Sequence, residues 1–160
     1  MVATPPNPAS AEGGVVELEK KCLIQSYGRL PLVIVRGKGC YVYDEAGKRY
    51  LDFVSGIGVN ALGHGHPRIL KAIREQMSRL IHCSNLYYHS FQAPLAARLT
   101  DLTGLDRVFF TNSGGESIEG ALKIAKAFGR RQSEEKFEIV ALNDGFAGRT
   151  AGALSVTGTA

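Results

Sequence analysis

The sharpest chemical signal in the sequence is Thr111-Asn112-Ser113-Gly114-Gly115-Glu116, two adjacent glycines set between an apolar run and a stretch with helical periodicity. Gly114 and Gly115 permit tight backbone turning and leave unshielded N–H groups at a helix start. Those donors, with the positive end of the helix dipole, suit phosphate or another anion. The same residues read equally well as a plain capping box, Ser113 to Glu116, which needs no ligand. The spacing matches neither G-x-x-x-x-G-K-[ST] nor G-x-G-x-x-G. A second loop, Gly145-Phe146-Ala147-Gly148-Arg149-Thr150, follows the next apolar run. There Phe146 offers a ring face to a planar cofactor, and Arg149 a planar fork to a carboxylate. The blander alternatives are core packing for Phe146 and a surface charge for Arg149.

Other candidates carry less. His64 and His66, with His82 and His89 further off, raise a metal reading, but no carboxylate cluster accompanies them and no metal site is predicted. Tyr87-Tyr88 reads either as a substrate-facing pair or as buried aromatics with hydroxyls at the rim. Cys22, Cys40 and Cys83 are odd in number and lack C-x-x-C spacing, so they read as free thiols in a reducing cytoplasm.

The elements that must position these residues follow from periodicity. Residues 15–25 fit a short helix. Residues 32–36, 40–44 and 49–53 are β-branched or aromatic runs joined by short glycine-bearing connections, the pattern of an antiparallel meander. Four glycines in the ten residues from Gly56 to Gly65 mark a loop lying close to something. Pro67 suits a helix first turn, and Ile69, Ile73, Met77, Leu80 and Ile81 recur at helical spacing. Another helix, capped by Ser90, passes through Leu95, Leu99 and Leu102 to Gly104. Residues 108–110 read as a short buried strand, 116–128 as a helix with Ile118, Ala121, Leu122 and Ala125 on its apolar face, and 137–142 as a second strand. Together they make a parallel βαβ unit whose loops converge on one cleft. A last helix begins near Gly148 or Arg149.

Composition sets the class. The 160 residues are 44% apolar and 21% charged, enough for a globular core. The net charge of +4 is spread from Lys20 to Arg149 without a stripe, which argues against nucleic acid and suits anionic ligands. Residues 1–14 read as a flexible leader without the basic and apolar regions of a targeting signal, and no apolar run reaches membrane-spanning length.

Taken together, the stretches SGIGVNALGHGHP (55–67), LIHCSNLYY (80–88), VFFTNSGGESIEGALK (108–123) and FAGRTAGALSVTG (146–158) resemble the acetylornithine aminotransferases and, more broadly, class III aminotransferases. The resemblance runs from Tyr27 to the last residue in the family's order. It implies an α/β fold, the amino-terminal part of the fold type I pyridoxal-phosphate-dependent transferases: a small antiparallel meander followed by the start of a mainly parallel sheet. The implied division is leader 1–14, small-domain segment and glycine-rich loop 15–66, and an incomplete cofactor-binding domain from 67 to 160. The implied cofactor is pyridoxal 5'-phosphate, its phosphate held by Gly114 and Gly115 and its ring packed on Phe146, with Arg149 binding the substrate carboxylate and the glycine-rich loop lining the substrate entrance. The implied reaction moves an amino group between acetylornithine, or a related ω-amino acid, and the 2-oxo acid 2-oxoglutarate, in a cytoplasmic homodimer. The chain departs from the family with Gly115 where Ala is usual, Ala147 where His is frequent and Ile118 where Asn is frequent. None of its eight lysines corresponds to the family's Schiff-base lysine, so the chain is expected to stop before it. The alternative is a non-catalytic module that binds a phosphorylated ligand or a partner subunit.

Overall fold

The computed structural model describes residues 14–158, which fall into two compact units divided between Ser84 and Asn85. The leader expected over residues 1–14 lies outside the described residues except for Gly14, where the first helix begins.

The first unit contains α1 (Gly14–Cys22), β1 (Ile34–Lys38), β2 (Tyr41–Asp44), β3 (Arg49–Leu51) and α2 (Pro67–Met77). The three strands form the expected antiparallel meander in the order β1-β2-β3. Gly39, with φ of 56°, turns β1 into β2, a left-handed conformation that costs glycine no Cβ clash. In the β2–β3 turn Asp44 accepts from Lys48 N (2.8 Å) and from the Tyr50 hydroxyl (2.8 Å), closing the hairpin with one carboxylate. Cations lie over tyrosine rings across the sheet, Arg36 at 3.6 Å from the Tyr43 ring centroid and Arg49 at 4.5 Å from that of Tyr41. α2 starts at Pro67, which gives up no helical hydrogen bond in the first turn.

The second unit contains α3 (Gln92–Thr103), α4 (Gly114–Arg130) and α5 (Ala151–Ser155). α3 stops where expected, at Gly104 with φ of 70°. Its start differs from expectation: Ser90 is not the cap. Phe91 is, without a side-chain cap bond, and the Phe91 N–H donates instead to His89 Nδ1 at 3.2 Å.

The two expected strands of the second unit do not form. Residues 108–110 and 137–142 carry no ladder hydrogen bonds to each other or to any described residue. A strand exists only through a partner, and α4 packs on both segments without bringing them side by side. A Cβ on Gly120 would stand 3.2 Å from the Phe109 ring, and Gly129 is buried against the Lys136 carbonyl. The apolar face predicted for α4 does meet the second segment, with Ile118, Leu122 and Ala125 lining a groove shared with Ile139 and Val140. Nor is residue 109 buried: Phe109 is 71% exposed and Val140 96%. Ala153 is the one buried apolar residue among those described.

Candidate functional site

The candidate site is assembled wholly within the second unit, where the two loops named from the sequence do converge. Gly114, Gly115, Phe146 and Arg149 line one open pocket with Ser113 and Gly148. Gly148 is buried with φ of 139°, and a Cβ there would lie 3.2 Å from Gly115 Cα and 2.9 Å from Ala153 Cβ. Only glycine allows that approach of one loop to the other.

At the start of α4, Ser113 adopts an extended conformation (φ −152°, ψ 162°), and its hydroxyl accepts from Glu116 N at 3.2 Å. The capping box is therefore half made. Its other half is displaced by one residue: Glu116 Oε2 accepts from Asn112 N (2.8 Å) and Asn112 Nδ2 (3.0 Å) rather than from Ser113. This turns the Glu116 carboxylate back toward Asn112 and occupies it there. Among the described residues, the Gly114 and Gly115 N–H groups have no acceptor. The capping box and the anion site, equal readings of the sequence, thus coexist, because the cap satisfies only the third N–H of the turn. A Cβ at Gly114 would meet nothing within 4 Å, so that residue borders open space.

Phe146 is 66% exposed and so is not a core residue. The Arg149 guanidinium lies over its ring, 5.2 Å from the centroid. Thr157 holds this loop from below: its hydroxyl accepts from Ala147 N (3.2 Å), and Gly158 N donates to Gly145 O (2.8 Å). Glu119, absent from the sequence-level candidates, joins the loop to α4 by accepting from Thr150 Oγ1 (2.5 Å) and Gly152 N (2.9 Å). The Thr150 hydroxyl, and then the backbone bonds, hold the Glu119 carboxyl below its usual range against the opposing effect of burial. No sequence signal marked Glu119, because its partners lie 31 to 34 residues further along the chain.

The remaining candidates part company with this site. Tyr87 is 69% exposed and Tyr88 fully exposed, so the buried-aromatic reading of that pair does not hold. In the first unit, His64 Nε2 pairs with Asp52 Oδ2 at 2.7 Å, and Asp52 Oδ1 accepts from Val54 N (3.0 Å) and Ser55 N (2.9 Å). The His64 bond is the main reason the Asp52 carboxyl titrates below its ordinary range. This clamp closes the glycine-rich loop, in which Ser55, Gly56, Ile57 and Gly58 are consecutively left-handed (φ 51°, 63°, 59° and 85°). His64 packs directly on Gly37, where a Cβ would stand 2.5 Å from its Cγ. Among the described residues no three His, Cys, Asp or Glu side chains gather as a ligand group, and no helix is long and apolar enough to cross a membrane.

Comparison with known proteins identifies the family of the chain. The family model for class III aminotransferases matches residues 24–160. The acetylornithine aminotransferase of Methanocaldococcus jannaschii is 50% identical over 143 residues, covering 89% of this chain and 36% of that protein. The chain therefore spans about a third of the length of such curated relatives. Among solved structures, the ornithine aminotransferase from Toxoplasma gondii superposes with a TM-score of 0.82 at 31% identity, over 93% of this chain and 36% of that one. That structure is described as having partial occupancy of PLP at its active site. The acetylornithine aminotransferase from Elizabethkingia anophelis gives a TM-score of 0.71 at 36% identity, over 79% of this chain and 31% of that one. The meander, the helix carrying the paired glycines and the facing Phe-Arg loop are thus the amino-terminal elements of a fold type I transferase, and the chain belongs to the class III aminotransferase family.

Proposed function

We propose that this chain is the part of a pyridoxal-phosphate-dependent aminotransferase that grips the cofactor phosphate and the substrate carboxylate. The observation that carries the reading is the contact of Gly148 with Gly115, which sets two unpaired N–H donors, an exposed aromatic ring and a guanidinium around one pocket. The donor set fits the cofactor: the Gly114 and Gly115 N–H groups, without an acceptor among the described residues, border the pocket at the positive end of a seventeen-residue helix, and the Glu116 carboxylate beside them is bound to Asn112.

Pyridoxal phosphate, when bound, supplies an electron sink for chemistry at the amino-bearing carbon. The chain's own residues bind and orient. Gly114 and Gly115 hold the phosphate by backbone donors, so their grip is independent of side-chain rotamers. Phe146 offers its exposed face to the pyridine ring and shields it from water on that side. Arg149 takes the substrate α-carboxylate in a bidentate fork. Lys123 and Lys126 lie nine and twelve residues along α4 from Gly114, roughly 13 Å and 18 Å at helical rise, so neither supplies the reactive amine at this pocket.

The favoured amino donor is acetylornithine with 2-oxoglutarate as acceptor, supported by the curated relatives' identity near 50%. The working enzyme is a homodimer in this reading, which accords with the apolar residues left exposed in the chain. The three free thiols support a cytoplasmic location. The test is amino transfer from acetylornithine to 2-oxoglutarate by the active enzyme containing this segment. Faster turnover with another ω-amino acid moves the substrate assignment, and cofactor binding without any transfer favours the non-catalytic phosphate-binding module.

A further inference from the structure

Arg149 occupies the single position between two anchor points on α4. On its amino side Gly148 lies against Gly115, and on its carboxyl side Thr150 donates its hydroxyl to Glu119 Oε1 at 2.5 Å. The same oxygen accepts from Gly152 N (2.9 Å) and Ala153 N (3.3 Å), two first-turn donors of α5. A five-residue helix makes few bonds of its own, so its start depends on such outside acceptors. Thr150, the cap residue of α5, reaches Ala153 N only at 3.4 Å. The fit is close: a Cβ on Gly152 would come within 2.8 Å of Glu119 Cδ. These contacts link residues 31 to 34 positions apart.

We infer that Glu119 is a positioning residue that fixes Arg149 relative to the phosphate end of α4 and thereby sets the enzyme's grip on the substrate carboxylate. The inference rests on the assignment of Arg149 made above. Glu119 touches neither substrate nor cofactor in this account. It acts by holding the residue after Arg149, so its loss is felt in substrate binding and not in cofactor uptake. Because the Thr150 hydroxyl and backbone donors keep the carboxyl ionised below its usual range, the tether is in place throughout the neutral pH region.

The experiment is steady-state kinetics and cofactor titration of the active enzyme containing this segment. Glu119→Ala raises KM for the amino donor about tenfold, with kcat and the pyridoxal phosphate dissociation constant within about twofold. Glu119→Gln retains an acceptor oxygen and stays within about threefold of the parent KM. Gly152→Ala, which pushes the carboxylate away without removing it, reproduces the KM effect if Glu119→Ala fails to fold. In an Arg149→Lys background Glu119→Ala adds less than about twofold, because both act through one group. An unchanged donor KM in Glu119→Ala, a parallel loss of cofactor affinity, or a Gln variant as poor as Ala would overturn the inference while leaving Arg149 in place. An unchanged donor KM in Arg149→Lys overturns the Arg149 assignment and this inference with it.

Discussion

Replacing Gly115 by proline and, separately, by alanine dissects the proposed phosphate site with two opposite expectations. Gly115 is the second residue of α4, where no helical hydrogen bond is made by its N–H, so proline is tolerated by the helix itself. The preceding residue, Gly114, has no Cβ to clash with the proline ring, which lightens the usual restriction before proline. What proline removes is one of the two donors aimed at the phosphate. A hydrogen bond to a charged group contributes about 1.5–3 kcal/mol, so cofactor affinity should fall about 10- to 150-fold. Alanine keeps the donor. Its Cβ would meet Thr150 Cγ2 at 3.5 Å and Ser113 Oγ at 3.9 Å, ordinary contacts, and Gly115 has no positive φ that alanine must strain to reach. Gly115→Ala should therefore leave cofactor affinity unchanged and stabilise the fold by about 0.4–1 kcal/mol through the unfolded chain. The assay is a visible-absorbance titration of apoenzyme with pyridoxal phosphate, paired with thermal unfolding. Equal affinity in the parent, Pro and Ala proteins would refute the placement of the phosphate; loss in Ala as great as in Pro would show that loop space, and not the N–H, was the cause.

In the active enzyme, Arg149→Lys keeps a cation near Phe146 but loses the fork. kcat/KM for the amino donor should drop by about 1.5–3 kcal/mol of binding while cofactor uptake stays near its parent value, and equal loss of both in parallel titrations would show that Arg149 belongs to the cofactor. The Asp52 clamp should be acid-labile: its carboxyl titrates lower in the fold than in the unfolded chain, so its contribution is complete above the ordinary carboxylate pKa and vanishes as pH falls through the depressed value. Amide exchange at Val54 and Ser55 should show protection that is steady near neutrality and lost in that acid window; Asp52→Asn should lack the acid step, and an identical pH profile in that variant contradicts the clamp. The purified 160-residue chain supplied with pyridoxal phosphate, acetylornithine and 2-oxoglutarate should transaminate no faster than free cofactor, and turnover clearly above that level would make one of its own lysines catalytic.

What could be read from the sequence is what local physics decides. Ser113 caps α4 because its side chain needs only the N–H three residues on, and Pro67 opens α2 because its missing donor costs nothing there. The meander was legible because its strands are joined by short connections whose glycines, Gly39 and Gly47, take positive φ as such turns require. Residues 108–110 and 137–142 were misread as a paired unit because apolar composition marks a segment suited to a sheet without naming its partner. Ser90 is not the cap because the helix begins at Gln92, which puts Phe91 and not Ser90 in the cap position. The pairings that shape the loops, Glu119 with Thr150 and Asp52 with His64, join side chains across 31 and 12 residues, and no periodicity encodes them. Phe146 and Arg149 line one pocket with the paired glycines, and the approach of Gly148 to Gly115 that joins the two loops is visible only in three dimensions.

The central claim is that the start of α4 holds the cofactor phosphate, and its most direct test is a crystal structure of the active enzyme containing this segment, with pyridoxal phosphate bound. Phosphate oxygens are expected within about 3.2 Å of the Gly114 and Gly115 amide nitrogens, ordinary hydrogen-bond distance, with the pyridine ring against Phe146. A phosphate seated elsewhere, with both glycine amides still turned to water, would contradict it.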